Sequence, residues 1–156
     1  MREELVIREY QTKDLEEIGK LFYDTVHVIN KRDYTSEQLD AWTGSCIEFA
    51  QWDQSFLKNY SLIAVKQGKL VGFGDIDKSN YLNRLYVHKE YQREGIASKI
   101  CDGLEAQVKA GEITVHASIT AKPFFEKRGY RVQLEQEVER KGITLTNYIM
   151  KKAFVY

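Results

Sequence analysis

The spacing of apolar residues changes near residue 60, and this change constrains the fold more than any other feature of the sequence. Before it, apolar residues recur at three- and four-residue steps, which predicts a helix with one buried face: Leu15, Ile18, Phe22, Val26 and Ile29. After it, short apolar runs are separated by turn residues, a pattern typical of strands. The chain must therefore combine helices with a sheet.

The predicted order of elements is β-α-α-β-β-β-α-β-α-β-β. Thr12 is the expected N-cap of the first helix, and Thr35 with Gln38 predicts a capping box for the second. Residues 43–60 have no clean period. Strands are predicted at 5–10, 61–66, 69–75, 81–88, 112–118, 130–139 and 144–152, with hairpin turns at Gln67–Gly68 and Lys141–Gly142, a helix from Gly95 towards a stop at Ala110–Gly111, and a short helix capped by Thr120. This order predicts one α/β (α+β) domain over residues 1–156, with a mixed sheet and helices on its faces.

Composition excludes several classes of protein. The chain has 156 residues, of which 43% are hydrophobic, and its 23 Lys and Arg balance 23 Asp and Glu. Zero net charge argues against a nucleic-acid partner, and no apolar run approaches the ~20 residues of a membrane span. Cys46 and Cys101 have no second ligand at metal-binding spacing, so we expect no metal and a cytoplasmic protein, with Cys101 in the core.

One segment has the local chemistry of an anion site. The strand at 81–88 runs through a loop into the helix that opens after Gly95, and the first N–H groups of a helix have no partners within it. Glycine allows a close approach of the backbone to a phosphate, and Lys89, Arg93 and Lys99 could add charge at the rim. The glycine pattern matches neither a Walker A loop nor the dinucleotide fingerprint. These residues alone also fit an ordinary strand–loop–helix junction.

Two motifs resemble those of a known family. Gln92-x-x-Gly95-x-Ala97, shortly after a Leu-Tyr-Val strand end, is similar to the acetyl-CoA loop of the GNAT superfamily of N-acetyltransferases. Residues 118–130 are similar to the family's second block, Asn-x-x-Ala-x-x-Phe-Tyr-x-x-x-Gly-Phe. The element order agrees along the whole chain. The resemblance implies a mixed, mostly antiparallel sheet that is splayed between its central strands, with helices on both faces.

The resemblance also implies a cofactor site and a reaction. The pantetheine arm of acetyl-CoA would lie between the strands at 81–88 and 112–118, paired with main-chain groups of Leu85, Tyr86 and Val87. The loop and helix start would hold the pyrophosphate, and an N–H near Val87 would polarise the thioester carbonyl. A primary amine of a small molecule or peptide would attack directly, without an enzyme nucleophile. The implied cofactor-binding residues are Leu85, Tyr86, Val87, Gln92, Arg93, Glu94, Gly95, Ile96, Ala97, Ser98, Ser118 and Phe125.

Two positions depart from the family pattern. Ser118 stands where the family has Asn, and Phe125 stands where the family usually has the Tyr that protonates the leaving thiolate. A phenyl ring donates no proton, although a thiolate leaves tolerably without an acid. A catalytically silent CoA-binding sensor or regulatory module is therefore the alternative to an enzyme.

The acceptor amine must lose a proton before it attacks, which requires a base. Alternation along the strand at 112–118 places His116 on the side of Ser118, and an imidazole suits the task. Asp75 is the next candidate, followed by Tyr81 or Asn83. A strand histidine is also often a structural residue, so both interpretations of His116 stay open.

The resemblance places the acceptor pocket among the first two helices. Tyr34 and Trp42 flank the start of the second helix and are the expected acceptor-binding residues, although core packing explains such aromatic residues equally well. The strand pair at 130–152, or the tail after it, could mediate a homodimer.

Overall fold

The computed structural model describes residues 4–44 and 48–154, so Cys46 and the last two residues lie outside the described part. Its strands are β1 (Leu5–Glu9), β2 (Tyr60–Lys66), β3 (Lys69–Ile76), β4 (Tyr81–Val87), β5 (Gly111–Ser118), β6 (Arg131–Arg140) and β7 (Ile143–Phe154). Its helices are α1 (Leu15–Ile29), α2 (Ser36–Thr43), α3 (Phe49–Lys58), α4 (Ile96–Glu105) and α5 (Lys122–Lys127), with 3-10 turns at Thr12–Asp14 and Asn30–Arg32.

Local signals predicted most of these elements. The capping box of α2 is present, with Thr35 Oγ1 accepting from Gln38 N–H, and both predicted hairpin turns have left-handed backbones. The stretch without a period contains α3, whose buried Phe56 anchors it.

Three predicted helix limits were wrong. Thr12 does not cap α1, because it opens the 3-10 turn that precedes Leu15, and its hydroxyl donates to Asp53 Oδ1 at 2.8 Å. Helix α4 ends at Glu105 rather than at Ala110–Gly111, because the next two turns close through i→i−3 hydrogen bonds that leave the α-helical path. Thr120 does not cap α5, since its hydroxyl donates to Asp33 Oδ2 at 2.7 Å and so bridges two loops instead.

The sheet has the order β1-β2-β3-β4-β5-β7-β6, and its neighbouring strands are antiparallel except for β4 and β5. These two central strands pair in parallel at only two positions, Tyr81 with Thr114 and Leu82 with Val115. Beyond those pairs the strands separate, so a gap opens towards their carboxyl ends. The structure thus confirms the expected mixed, mostly antiparallel and splayed sheet.

A hydrophobic core lies on each face of this sheet. Helices α4 and α5 cover one core, which includes Ile100, Leu104 and Met150, and helices α1–α3 cover the other. Cys101 is fully buried in the first core, and burial raises the pKa of its thiol to about 12. It is therefore a core residue, as the sequence predicts. In the described ranges, no helix is long and apolar enough to cross a membrane.

Candidate active site

The gap between β4 and β5 opens into a cleft of about 750 Å³. The ends of both strands, the starts of α4 and α5, and the end of α1 form its walls. All but one of the predicted cofactor-binding residues line it: Leu85, Tyr86, Val87, Gln92, Arg93, Gly95, Ile96, Ala97, Ser98, Ser118 and Phe125. The exception is Glu94, which does not line the cleft and whose carboxylate accepts from Lys66 Nζ at 2.9 Å.

The start of α4 presents free backbone donors to this cleft. Arg93 and Gly95 adopt left-handed backbones, with φ of 62° and 79°, and these turn the chain into the helix. Since Lys99 N–H bonds Gly95 O, the preceding N–H groups at residues 96–98 have no carbonyl partner within α4. A Cβ added at Gly95 would meet nothing within 4 Å, so the turn has open space beside it. This arrangement fits an anion, because the helix dipole and the donors act together.

The end of β4 directs alternate main-chain groups into the gap. His88 N–H donates to Val71 O at 2.8 Å, so in this register the N–H and C=O of Tyr86 also face β3, and those of Leu85 and Val87 face away from it. The expectation that Tyr86 pairs with a ligand through its main chain is therefore corrected. Tyr86 contributes a ring instead, which packs edge-on against Phe22 at 5.0 Å.

The Val87 peptide is fixed by side chains on both sides of it. Its carbonyl accepts from Gln92 Nε2 at 2.7 Å and from Thr25 Oγ1 at 3.1 Å. Gln92 thus positions the end of β4, because its side-chain amide donates to the main-chain carbonyls of Val87 and His88. These bonds hold the end of β4, and the N–H of Val87, which lies in the preceding peptide group, faces the gap because of the register with β3.

The wall formed by β5 and α5 is less polar than the resemblance implies. Ser118 lines the cleft, and its Oγ accepts from Ala121 N–H at 3.0 Å. Phe125 is 2% exposed and packs between Phe124 and Tyr130, with ring centroids 5.1 Å from each. Phe125 therefore supplies packing and shape.

His116 and Tyr81 meet where β4 and β5 part. Their rings lie edge-on with centroids 5.1 Å apart, next to the last paired residues of the two strands. Neither residue lines the cleft. Burial, with a smaller contribution from Arg140, lowers the pKa of His116, which keeps the imidazole neutral near pH 7. Asn83 follows Leu82 on β4 and is exposed.

Asp75, the second candidate base, is corrected by the structure. Its carboxylate is fully buried and accepts from Arg84 Nε at 3.0 Å and Nη2 at 2.6 Å, and from Asn59 Nδ2 at 2.9 Å. The guanidinium itself stacks on Phe56, 4.0 Å from the ring centroid. A carboxylate that is enclosed by these donors and does not line the cleft has a structural role.

The expected acceptor-binding residues belong to the core beneath the cleft. Tyr34 is 7% exposed, and its hydroxyl donates to Thr146 O at 2.7 Å and accepts from Ile119 N–H at 2.8 Å. Trp42 packs edge-on against Tyr34 with centroids 5.3 Å apart. Neither lines the cleft. The reason is physical: a tyrosine whose hydroxyl satisfies two main-chain groups ties loops together and has little left to offer a ligand.

Sequence reasoning missed the contribution of the end of α1. Thr25 of α1 and Asn30 and Arg32 of the turn after it line the cleft, and Thr120 lines it from the loop after β5. Asn30 directly follows Ile29, the last periodic apolar residue of α1, so only its position at a helix end signals a special role.

Comparison with known proteins identifies the class of enzyme. The acetyltransferase (GNAT) domain family matches residues 30–152. The uncharacterized N-acetyltransferase YafP of Escherichia coli (strain K12) is 35% identical over 147 residues, which is 93% of either chain. The protein therefore belongs to the GNAT acetyltransferases, and it is an acetyl-CoA-dependent acyltransferase.

Solved structures share this fold. A GCN5-related N-acetyltransferase from Rhodopseudomonas palustris matches with a TM-score of 0.92 and 29% identity over 99% of both chains. The PaiA N-acetyltransferase of Thermoplasma acidophilum, solved with coenzyme A, has a TM-score of 0.77 and 20% identity over 97% of this chain and 99% of its own. YncA of Salmonella typhimurium, a putative acetyltransferase solved with acetyl-CoA, has a TM-score of 0.65 and 14% identity over 96% and 94%.

Proposed function

We propose that this protein transfers the acetyl group of acetyl-CoA to a primary amine of a small molecule or peptide by direct attack. The observation that carries the proposal is the convergence, in one cleft, of a helix start with free N–H groups and an unpaired strand edge. The PaiA and YncA structures contain coenzyme A and acetyl-CoA, which supports the same ligand here. A cytoplasmic location stays a prediction.

The cleft residues fit the cosubstrate in chemical type. The N–H groups at residues 96–98 would hold the pyrophosphate, with Arg93 at the rim. The gap-facing peptide groups of Leu85 and Val87 would pair with the pantetheine arm. The Val87 N–H, on a strand end that Gln92 and Thr25 hold in place, would donate to the thioester oxygen as negative charge develops there.

The reaction needs one proton acceptor. The amine nitrogen attacks the thioester carbon, the C–S bond breaks, and CoA leaves as a thiolate, while the proton of the attacking amine passes to a base. His116 is the proposed base, acting directly or through water, because it is neutral near pH 7 and lies at the narrow end of the gap. Tyr81, in contact with it, would keep its ring in place.

One observation favours a second function. Phe125 offers no proton at the family's usual acid position, and the Ser118 hydroxyl already serves Ala121. A catalytically silent CoA-binding module would have such a site. It would bind the cosubstrate and turn over no acceptor.

Two measurements separate these proposals. Calorimetry with CoA tests binding, and release of free thiol from acetyl-CoA across a panel of amines tests transfer. Binding with acceptor-dependent thiol release is the expected result. Binding without release from any amine would favour the silent module, and no binding at high micromolar CoA would contradict both.

A further inference from the structure

Asn30 occupies a special place in the cleft. On either side of it, the chain is anchored to the two sides of the gap: Thr25, five residues earlier, donates to Val87 O at the end of β4, and Asp33, three residues later, accepts from Thr120 just after β5. The segment that carries Asn30 therefore crosses the mouth of the gap. Asn30 lines the cleft there and is only 6% exposed.

The side-chain amide of Asn30 makes no hydrogen bond with any residue that the structure describes. Within the same ranges, the one fully enclosed side-chain oxygen or nitrogen without a partner belongs to Asn147. The Asn30 amide therefore keeps some accessible surface, and Asn30 lines the cleft. An unpaired amide in such a confined place costs about 1–3 kcal/mol unless a ligand or water satisfies it. Its position thus points to a ligand group.

The other polar side chains of this wall are already engaged. Thr25 donates to Val87 O, Ser118 accepts from Ala121 N–H, and Thr120 donates to Asp33. Asn30 can both donate and accept, which matches a secondary amide. The pantetheine arm carries two such amides and must pass the mouth of the gap between the anion site at α4 and the closed end at Leu82–Val115.

We propose that Asn30 binds an amide of the pantetheine arm from the wall opposite the open edge of β4. This inference rests on the proposed use of acetyl-CoA. The arm would then be gripped on both flanks, by main-chain groups of Leu85 and Val87 on one side and by the Asn30 side chain on the other. The nucleotide half would be untouched by Asn30.

The test compares whole CoA with its nucleotide half, which keeps the pyrophosphate and lacks the pantetheine arm. Asn30→Leu removes the amide and keeps the number and branching of the side-chain heavy atoms. Calorimetry should show CoA binding weakened about five- to tenfold, the value of one neutral hydrogen bond, with the affinity for the nucleotide half unchanged. Gln133→Ala, which removes an exposed amide from β6, should leave both affinities at the wild-type values.

Thermal unfolding of Asn30→Leu should show no loss of Tm, because the lost amide has no partner in the protein. Equal CoA affinity for the variant and the wild type would overturn the inference. So would equal weakening of CoA and its nucleotide half, or a rise confined to the KM of the acceptor amine. Failure of the wild-type protein to bind CoA would instead refute the proposed function itself.

Discussion

Gly95 is the residue on which the anion site depends most directly. Its φ of 79° is left-handed, a conformation that costs an L-residue with a side chain roughly 1–2 kcal/mol. A side chain there would also extend into the open space of the turn. We expect Gly95→Val to weaken CoA binding at least tenfold by calorimetry.

Gly142 provides a matched control for this variant. Its φ is 78°, a Cβ there would also meet nothing within 4 Å, and it lies in the β6–β7 hairpin away from the cleft. Gly142→Val should lower Tm through the same backbone strain and leave CoA affinity intact. Equal CoA affinity for the two variants would remove Gly95 from the site.

His116 should control the pH dependence of transfer. Its pKa lies below the usual 6.5, so the neutral base is present at and above pH 7 and is lost as the pH falls through the lowered pKa. The kcat/KM of the wild-type protein should therefore rise with pH and level off below pH 7. His116→Ala should lower the rate by about 10² and abolish this inflection.

A surface histidine serves as the comparison for that profile. His27 on α1 bonds Asp40 on α2 and does not line the cleft. His27→Gln should retain the inflection. If the dependence of kcat/KM on pH were the same for His116→Ala and the wild type, His116 would not be the base, and water would be the proton acceptor.

At the scale of elements, the buried ion pair of Asp75 and Arg84 holds β3, β4 and α3 together. Arg84 Nη2 also donates to Ser55 Oγ at 2.6 Å, and Asn59 completes the contact with the end of α3. We expect Asp75→Asn to destabilise the protein by about 3–5 kcal/mol, because it leaves a buried guanidinium without its counter-charge. Chemical denaturation measures this change.

Replacing both charges tests the interpretation further. The double variant Asp75→Leu/Arg84→Met should recover much of the lost stability, since it removes the unpaired charge as well as the pair. If Asp75→Asn instead kept wild-type stability and lost only kcat, the carboxylate would be a base after all.

Elements whose signals are local could be predicted from the sequence, and contacts between distant residues could not. Thr35 and Gln38 of the capping box are three positions apart, and the turn at Gly95 is indicated by the residues next to it in the sequence. The Tyr34 hydroxyl, in contrast, bonds a carbonyl at Thr146, far along the chain, and nothing near Tyr34 signals this. Sequence reasoning therefore could not foresee that the Tyr34 hydroxyl is already engaged, nor that Asn30 lines the cleft.

At the scale of the whole molecule, β6 is an edge strand, and it belongs to the strand pair that, like the tail after it, could mediate a homodimer. Val132 and Leu134 are 38% and 53% exposed on it. If the dimer forms there, Leu134→Lys should convert it to a monomer in light-scattering measurements. Leu57→Lys, at a site 60% exposed on α3, should leave the mass unchanged. If light scattering gave the monomer mass for the wild-type protein both at high concentration and after 100-fold dilution, the dimer would be contradicted.

Because only two residue pairs join β4 to β5, we expect amide hydrogen exchange along the rest of β4 to alternate between slow and fast residues. The N–H groups along β4 point alternately towards β3 and towards the gap. In the free protein, Tyr86 N–H is therefore protected by its pairing with Phe73, whereas the N–H groups of Leu85 and Val87 have no strand partner and exchange faster. An arm bound in the gap would slow exchange at those two residues and leave Tyr86 as it was. Binding of the cosubstrate could thus be measured as slower exchange at every second residue of β4, and this measurement does not require the acceptor amine to be known.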